Sequence, residues 1–237
     1  MNWQFELAVV TGASRGIGKA LAQGLADRGA AVAVCARDAI AIERFASDLR
    51  AGGGKAFGAP CDVRDEAEVA AFAARVQREM GSPTIVVNNA GIARFAPVTE
   101  LSVEQWDEVL ATNLRGMFLV TRAFLPAMLA HGHGAIVNLA SLAGRNGFAS
   151  GAAYCASKHG VLGFSKSLMM EVRKRDIRVI AVCPGSVSTA FFDGHTPFQP
   201  DREKILRAED VATVVLETLA LDERATVSEL DIRPTNP

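Results

Sequence analysis

The sequence predicts an α/β domain: a doubly wound, seven-stranded, mostly parallel sheet with helices on both faces. Three observations predict it. Short apolar stretches alternate with longer, helix-period stretches along nearly the whole chain. The short stretches are almost continuously apolar, the pattern of strands buried on both faces. No repeat, low-complexity tract or linker divides the 237 residues, a length that one core can fill. Strands are expected at 7–10, 31–36, 55–60, 84–88, 135–140, 177–183 and 228–233, with helices at about 16–28, 39–51, 65–80, 103–130, 152–175 and 208–221.

The first strand runs into Thr11-Gly-Ala-Ser-Arg-Gly-Ile-Gly18. Glycines 12, 16 and 18 permit a tight turn and a close backbone approach just before a helix starts. Free N–H groups and the positive end of the helix dipole make this an anion site suited to a pyrophosphate. The predicted contacts are Gly12, Ser14, Arg15, Gly16, Ile17 and Gly18, although the spacing is G-x-x-x-G-x-G rather than G-x-G-x-x-G. The second strand ends at Ala36, so no acid stands at its tip to hold a ribose 2′-hydroxyl. Asp38 fits the expected count of about 20 residues, but it reads better as the cap of the next helix. Arg37 and Arg15 are placed to clamp a 2′-phosphate by charge-assisted bonds, which predicts NADP(H) over NAD(H).

The third strand leads into Cys61-Asp-Val63, where the Asp62 carboxylate either accepts an adenine amino group or makes a turn. The fourth ends in Asn88-Asn-Ala-Gly91. Small residues there let backbone pass over a cofactor, and the amides bond neighbouring strands. In the long helix that follows, Asn113 is disfavoured unless its amide is used, either on a backbone carbonyl or on a water relaying protons to Lys158. That helix and the one carrying Leu168-Met-Met170 are apolar on more than one side, which predicts a subunit interface or packing under loops.

After the fifth strand comes Ser141, and thirteen residues later Tyr154-x-x-x-Lys158. The last two share one helix face, about one turn apart. A free Tyr has a pKa near ~10, and an adjacent ammonium favours the phenolate, so the pair reads as a proton donor and acceptor for carbonyl–alcohol interconversion. The Ser141 hydroxyl would hold the substrate oxygen. A loop from Cys183-Pro-Gly-Ser-Val-Ser-Thr189 to about 207 carries Phe191, Phe192, Phe198, Pro197 and Pro200, and its 190–207 part is expected to be a lid over an apolar substrate. Arg94, Phe95, Leu142, Arg145, Phe148 and Phe191 are expected near the substrate. The last strand, 228–233, alternates charged and apolar residues, as an edge strand does.

Composition narrows the function. A net charge of −1 offers no field for nucleic acid, and no apolar run is long enough to span a bilayer. The start shows no cationic stretch followed by an apolar core, and the four cysteines are far apart without a C-x-x-C. Free thiols in a reducing cytoplasm are therefore expected. The four histidines form no metal set.

Together these motifs resemble the classical short-chain dehydrogenase/reductase family over nearly the whole chain: the glycine loop, Asp62, Asn88-Asn-Ala-Gly91, Asn113, Ser141, Tyr154-x-x-x-Lys158 and Pro184-Gly185 with Thr189. The resemblance implies one Rossmann-type dinucleotide-binding and catalytic domain over 1–237 and a small-molecule carbonyl or alcohol substrate. It implies Tyr154 as acid/base, Lys158 lowering its pKa and holding the nicotinamide ribose, Ser141 on the carbonyl oxygen and Asn113 in a proton path. Asn89, Ala90, Gly91, Val63, Pro184, Gly185, Val187 and Thr189 complete the cofactor set, and a homo-oligomer, dimer or tetramer, is implied. The central region is similar to 3-oxoacyl-acyl-carrier-protein reductases, but the two docking arginines of those enzymes match Ala135 and Met170 here. Many members also carry a longer C-terminal segment with a Val-Asp-Gly-Gly-like strand. A nonenzymatic dinucleotide sensor on the same fold would not need Ser141, Tyr154 and Lys158 together. A sugar-nucleotide epimerase would need a differently spaced loop and a longer C-terminal region.

Overall fold

All seven expected strands form, each within one residue of its predicted ends. The computed structural model describes residues 2–193 and 199–235. Its strands are β1 (Leu7–Thr11), β2 (Ala31–Ala36), β3 (Ala56–Pro60), β4 (Ile85–Asn88), β5 (Gly134–Leu139), β6 (Ile177–Pro184) and β7 (Glu229–Ile232). They lie in one sheet in the order β3-β2-β1-β4-β5-β6-β7. Every pair is parallel, not merely most. The chain winds outward from β1 to β3, then returns to set β4 on the other flank of β1. Where the order reverses, the C-terminal strand ends splay apart into a crevice.

The strands are continuously apolar because each face has its own core. Ala8 and Val10 of β1, Val32 and Val34 of β2, and Ile85 and Val87 of β4 face one side. There they meet α1 (Gly16–Asp27), α2 (Ala39–Ala51) and α7 (Ala208–Ala220). Val9, Ala33 and Val86 face the other side, against α3 (Glu66–Glu79), α5 (Gly116–His131) and α6 (Ala152–Val172).

Helix starts follow their capping chemistry. Asp38 accepts the Ala41 N–H at 2.9 Å, as the sequence suggested, and Asp65 accepts those of Ala67 and Glu68. Ser102 and Gln105 form a reciprocal capping box at α4 (Val103–Leu110). The helix predicted over about 103–130 forms over 103–131, with a π turn at Ala111–Arg115 that divides it into α4 and α5. Side chains hold the turn open: the Thr112 hydroxyl donates to the Glu108 carbonyl, and Asn113 is pulled toward neighbouring segments. π turns cluster at functional sites, and this one lies beside the crevice.

The two helices predicted to be covered on both sides keep part of that second side exposed in the single chain. Phe118 is 42% and Met170 57% exposed, and Phe118 meets Phe164 edge-on at 6.4 Å. Strand β7 is the sheet edge and is half-buried, as expected.

Candidate active site

The crevice at the switch point is a cleft of about 1060 Å³. One end is the β1–α1 loop, where Gly12 and Gly16 have φ of 63° and 57°, a left-handed conformation that disfavours any side chain. A Cβ at Gly18 would fall 2.3 Å from the Asn89 amide nitrogen. That amide donates to the Thr11 and Gly12 carbonyls, and the Thr11 hydroxyl accepts the N–H groups of Asn89 and Ala90. The tips of β1 and β4 are thus clasped, and bare backbone faces the cleft in front of the α1 N-terminus. This cradle suits a dinucleotide pyrophosphate.

Of the predicted site residues, all line the cleft except Gly18 and Asn113, which lie behind its wall. Arg15 and Arg37 stand exposed at the rim, and among the described residues neither has an ion-pair partner. Asp62 differs. Arg64, which sequence reasoning passed over, grips its carboxylate with bonds of 2.6–3.0 Å. That guanidinium holds the Asp62 pKa below the usual carboxylate range. Asp62 also accepts the Arg64 N–H, so the turn role is realised. Opposite the glycine loop, the Thr189 methyl would sit 3.2 Å from a Cβ at Gly16, narrowing the cleft between β1 and β6.

Tyr154 and Lys158 are on one face of α6, with the Lys158 Nζ 5.7 Å from the phenol ring centroid. Ser141 caps a short 3-10 turn (Leu142–Gly144) by accepting the Ala143 N–H at 3.1 Å. Its own hydrogen is thereby left for another acceptor, and this hydroxyl pulls the Tyr154 pKa down. Lys158 is 5% exposed and donates to the Leu139 carbonyl at 2.7 Å. The expectation that Lys158 lowers the Tyr154 pKa is corrected in the protein alone. Burial pushes the phenol up to about 12, with only the Ser141 hydroxyl opposing it, and burial brings Lys158 down to about 8. Asn113 spends its amide on protein: Oδ1 accepts the Ile92 N–H, and Nδ2 donates to the Ile92 carbonyl and the Ser157 hydroxyl. It braces the wall beside Lys158.

A family profile described as short chain dehydrogenase matches residues 6–199. The chain belongs to this family. As a short-chain dehydrogenase it is an oxidoreductase acting on CH–OH groups with NAD(P). It is 43% identical over 202 residues to D-threitol dehydrogenase of Mycolicibacterium smegmatis, covering 85% of this chain and 77% of that one. It is 39% identical over 189 residues to the 3-oxoacyl-(acyl-carrier-protein) reductase FabG of Escherichia coli, covering 80% and 76%. Among solved structures, a variant of actinorhodin polyketide ketoreductase with NADPH superposes with a TM-score of 0.89 at 35% identity, covering 98% of this chain and 97% of that one. A Burkholderia phymatum short-chain dehydrogenase with NAD does so with a TM-score of 0.89 at 28% identity, covering 98% of this chain and 90% of that one.

The substrate end of this short-chain dehydrogenase is partly as expected. Phe95, Leu142, Phe148 and Phe191 line the cleft. Arg94 and Arg145 do not. Arg94 pairs with Glu108 at 2.8 Å, and Arg145 with Glu229 and Asp231 at 2.6 and 2.7 Å. Ala135, one of the two positions matched to a docking arginine, lies at 0% exposure within β5. Met170 is on the surface. Ile92, Arg233 and Pro234 line the cleft without having been expected. Of the loop expected as a lid, Pro197 and Phe198 lie outside the described residues. Among the described residues no group of His, Cys, Asp and Glu could hold a metal, and no helix is long and apolar enough to cross a membrane.

Proposed function

We propose that this short-chain dehydrogenase interconverts a carbonyl and a primary or secondary alcohol with NADP(H) in preference to NAD(H), using Tyr154 as the acid/base. The observation that carries the reading is that Ser141, Tyr154 and the buried Lys158 come together at one end of a cleft whose other end is the glycine loop. When bound, NADP(H) supplies or accepts the hydride. Gly12, Ser14, Gly16 and Ile17 would cradle its pyrophosphate, Arg15 and Arg37 its 2′-phosphate, and Lys158 and Thr189 its nicotinamide half. With a pKa of about 12, the Tyr154 phenol keeps its proton at neutral pH. It is therefore a ready donor to a carbonyl oxygen that Ser141 also holds. In the reverse direction Tyr154 must act as phenolate, and the Lys158 ammonium is the nearby charge that favours it. Asn113 positions Ile92 and Ser157 rather than touching substrate.

The loop over 190–207 serves as the substrate lid. Its base is tied by Ser188 N–H donating to the Leu206 carbonyl at 2.7 Å and Leu206 N–H to that of Ser186 at 3.1 Å. The exposed Phe118 and Met170 face is covered by a second copy, giving a dimer or tetramer. The four free cysteines suit a reducing cytoplasm. A 3-oxoacyl thioester as substrate is the second reading, favoured by the relative of that name. Absorbance of NADPH and NADH in parallel, with butane-2,3-dione, aldehydes, aryl ketones and a short 3-oxoacyl thioester, tests the proposal. Oxidation of NADPH well above NADH is expected. Activity with NADH alone would overturn the cofactor assignment, and none with any carbonyl would overturn the function.

A further inference from the structure

Three loops at the substrate end of the cleft each bring a phenylalanine to one aromatic wall, and two of these rings meet Tyr154. Phe95 follows β4, Phe148 follows β5 and Phe191 follows β6. Phe95 meets Tyr154 edge-on at 5.9 Å and Phe191 edge-on at 6.2 Å, and Phe148 leans on it at 5.9 Å. Phe191 lies 5.6 Å from the Tyr154 ring itself. Such spacings are those of rings that attract through their quadrupoles. The wall is held in place by backbone. Ala96 N–H donates to the Ser150 carbonyl at 3.0 Å, tying the Phe95 loop to the Phe148 loop. Ser150 sits at φ 63°, a conformation uncommon for a residue with a side chain and one that concentrates at functional sites. It turns the chain so that the Phe148 ring lies over Gly151, where a Cβ would be only 2.3 Å from it.

Charge is absent from this wall because its neighbours are already neutralised. Arg94 is spent on Glu108, Arg145 on Glu229 and Asp231, and Arg233 lies 3.5 Å from Asp231. A substrate carboxylate would find no unpaired arginine among the described residues at this end.

Resting on the carbonyl–alcohol function proposed above, we infer that the substrate carries an uncharged aromatic ring next to the reacting carbonyl, and that Phe95 and Phe191 select it. The ring of an aryl ketone or aryl aldehyde would lie against the cleft side of Phe95, Phe148 and Phe191 while its oxygen reaches Ser141 and Tyr154. In the reduction the carbonyl carbon gains a C–H bond, its oxygen takes the Tyr154 proton as the C=O π bond breaks, and NADPH is the two-electron reductant, leaving as NADP⁺.

The test compares kcat/KM with NADPH for acetophenone, its saturated counterpart cyclohexyl methyl ketone, phenylglyoxylate and the ring-free butane-2,3-dione. Conjugation makes the aryl carbonyl intrinsically the less reactive, so the ratio is read in the native protein and again in Phe95→Leu and Phe191→Leu. Acetophenone is expected to exceed the cyclohexyl ketone by about tenfold, the scale of one or two aromatic contacts, and phenylglyoxylate by at least as much. Either leucine variant should bring the aryl-to-cyclohexyl ratio to within about twofold of unity, a ratio read within each variant that a general loss of turnover does not move. Phe191 is 38% exposed, so its variant folds even if Phe95→Leu does not. A native ratio near one, or a ratio the variants leave unchanged, overturns the inference while dione turnover keeps the function. Loss of all carbonyl turnover in the native protein removes both.

Discussion

At the β1–β3 end of the cleft, the binding surface is backbone and unpaired charge: positive-φ glycines before a helix N-terminus, with Arg15 and Arg37 exposed and without ion-pair partners among the described residues. At the β4–β6 end, Arg94 and Arg145 are already in ion pairs and the exposed surface is aromatic. The same residue type thus does opposite things on one molecule. A free arginine at the rim is available to an anionic ligand, whereas a paired one fixes a loop and leaves the pocket neutral. The two ends are suited to the two halves of the reaction, a polyanionic cofactor and an uncharged carbonyl.

Several substitutions sharpen or break this contrast. Ser141→Ala removes the hydroxyl that shares the substrate end of the cleft with Tyr154, and kcat should fall by about 10²-fold with NADPH affinity unchanged, as for loss of an oxyanion donor. Steady-state rates and NADPH fluorescence titration check it together. Combined Arg15→Ala and Arg37→Ala should lower kcat/KM for NADPH by roughly 10–100-fold and change NADH by less than about threefold. Equal losses with both cofactors would mean that these arginines do not read the 2′-phosphate.

Lys158 gives a pH signature. Its folded pKa is about 8 against 10.5 for the free side chain. Between those values the folded protein has shed the proton and the unfolded chain has not, so stability should climb as pH rises through that window. Tyr154 acts oppositely, from 10.0 unfolded to about 12 folded, and stability should drop across that higher range. Urea midpoints at pH 7.5 and 9.5 should rise in the native protein and stay flat in Lys158→Met. The smallest effect is expected at the neutral end: Arg94→Ala breaks a half-exposed pair and should cost less than about 1 kcal/mol of stability and under about threefold in kcat/KM.

Much of this was legible in the sequence because it rests on local pattern. Strands buried on both faces must be apolar throughout, so β1 to β6 could be placed within a residue. Glycines at 12, 16 and 18 and the Tyr154-x-x-x-Lys158 spacing need no distant partner to be read. What escaped depends on such partners. Arg145 meets Asp231 from 86 residues away, and Asn113 meets Ile92 and Ser157 from 21 and 44, so nothing local distinguishes them from pocket residues. The π turn is held by those same bonds, in a stretch with no proline to announce a break. The rise in the Tyr154 pKa comes from burial in the folded cleft, where Phe95 and Phe191 close on the ring from 59 and 37 residues away in the chain.

The central claim, that Tyr154 is the proton donor of a carbonyl reduction run in this cleft, is tested most directly by Tyr154→Phe. NADPH binding and carbonyl-dependent NADPH oxidation should be measured on the same sample. The account predicts NADPH affinity within about twofold of the native protein and turnover reduced by at least ~10²-fold. Near-native turnover in that variant would contradict it.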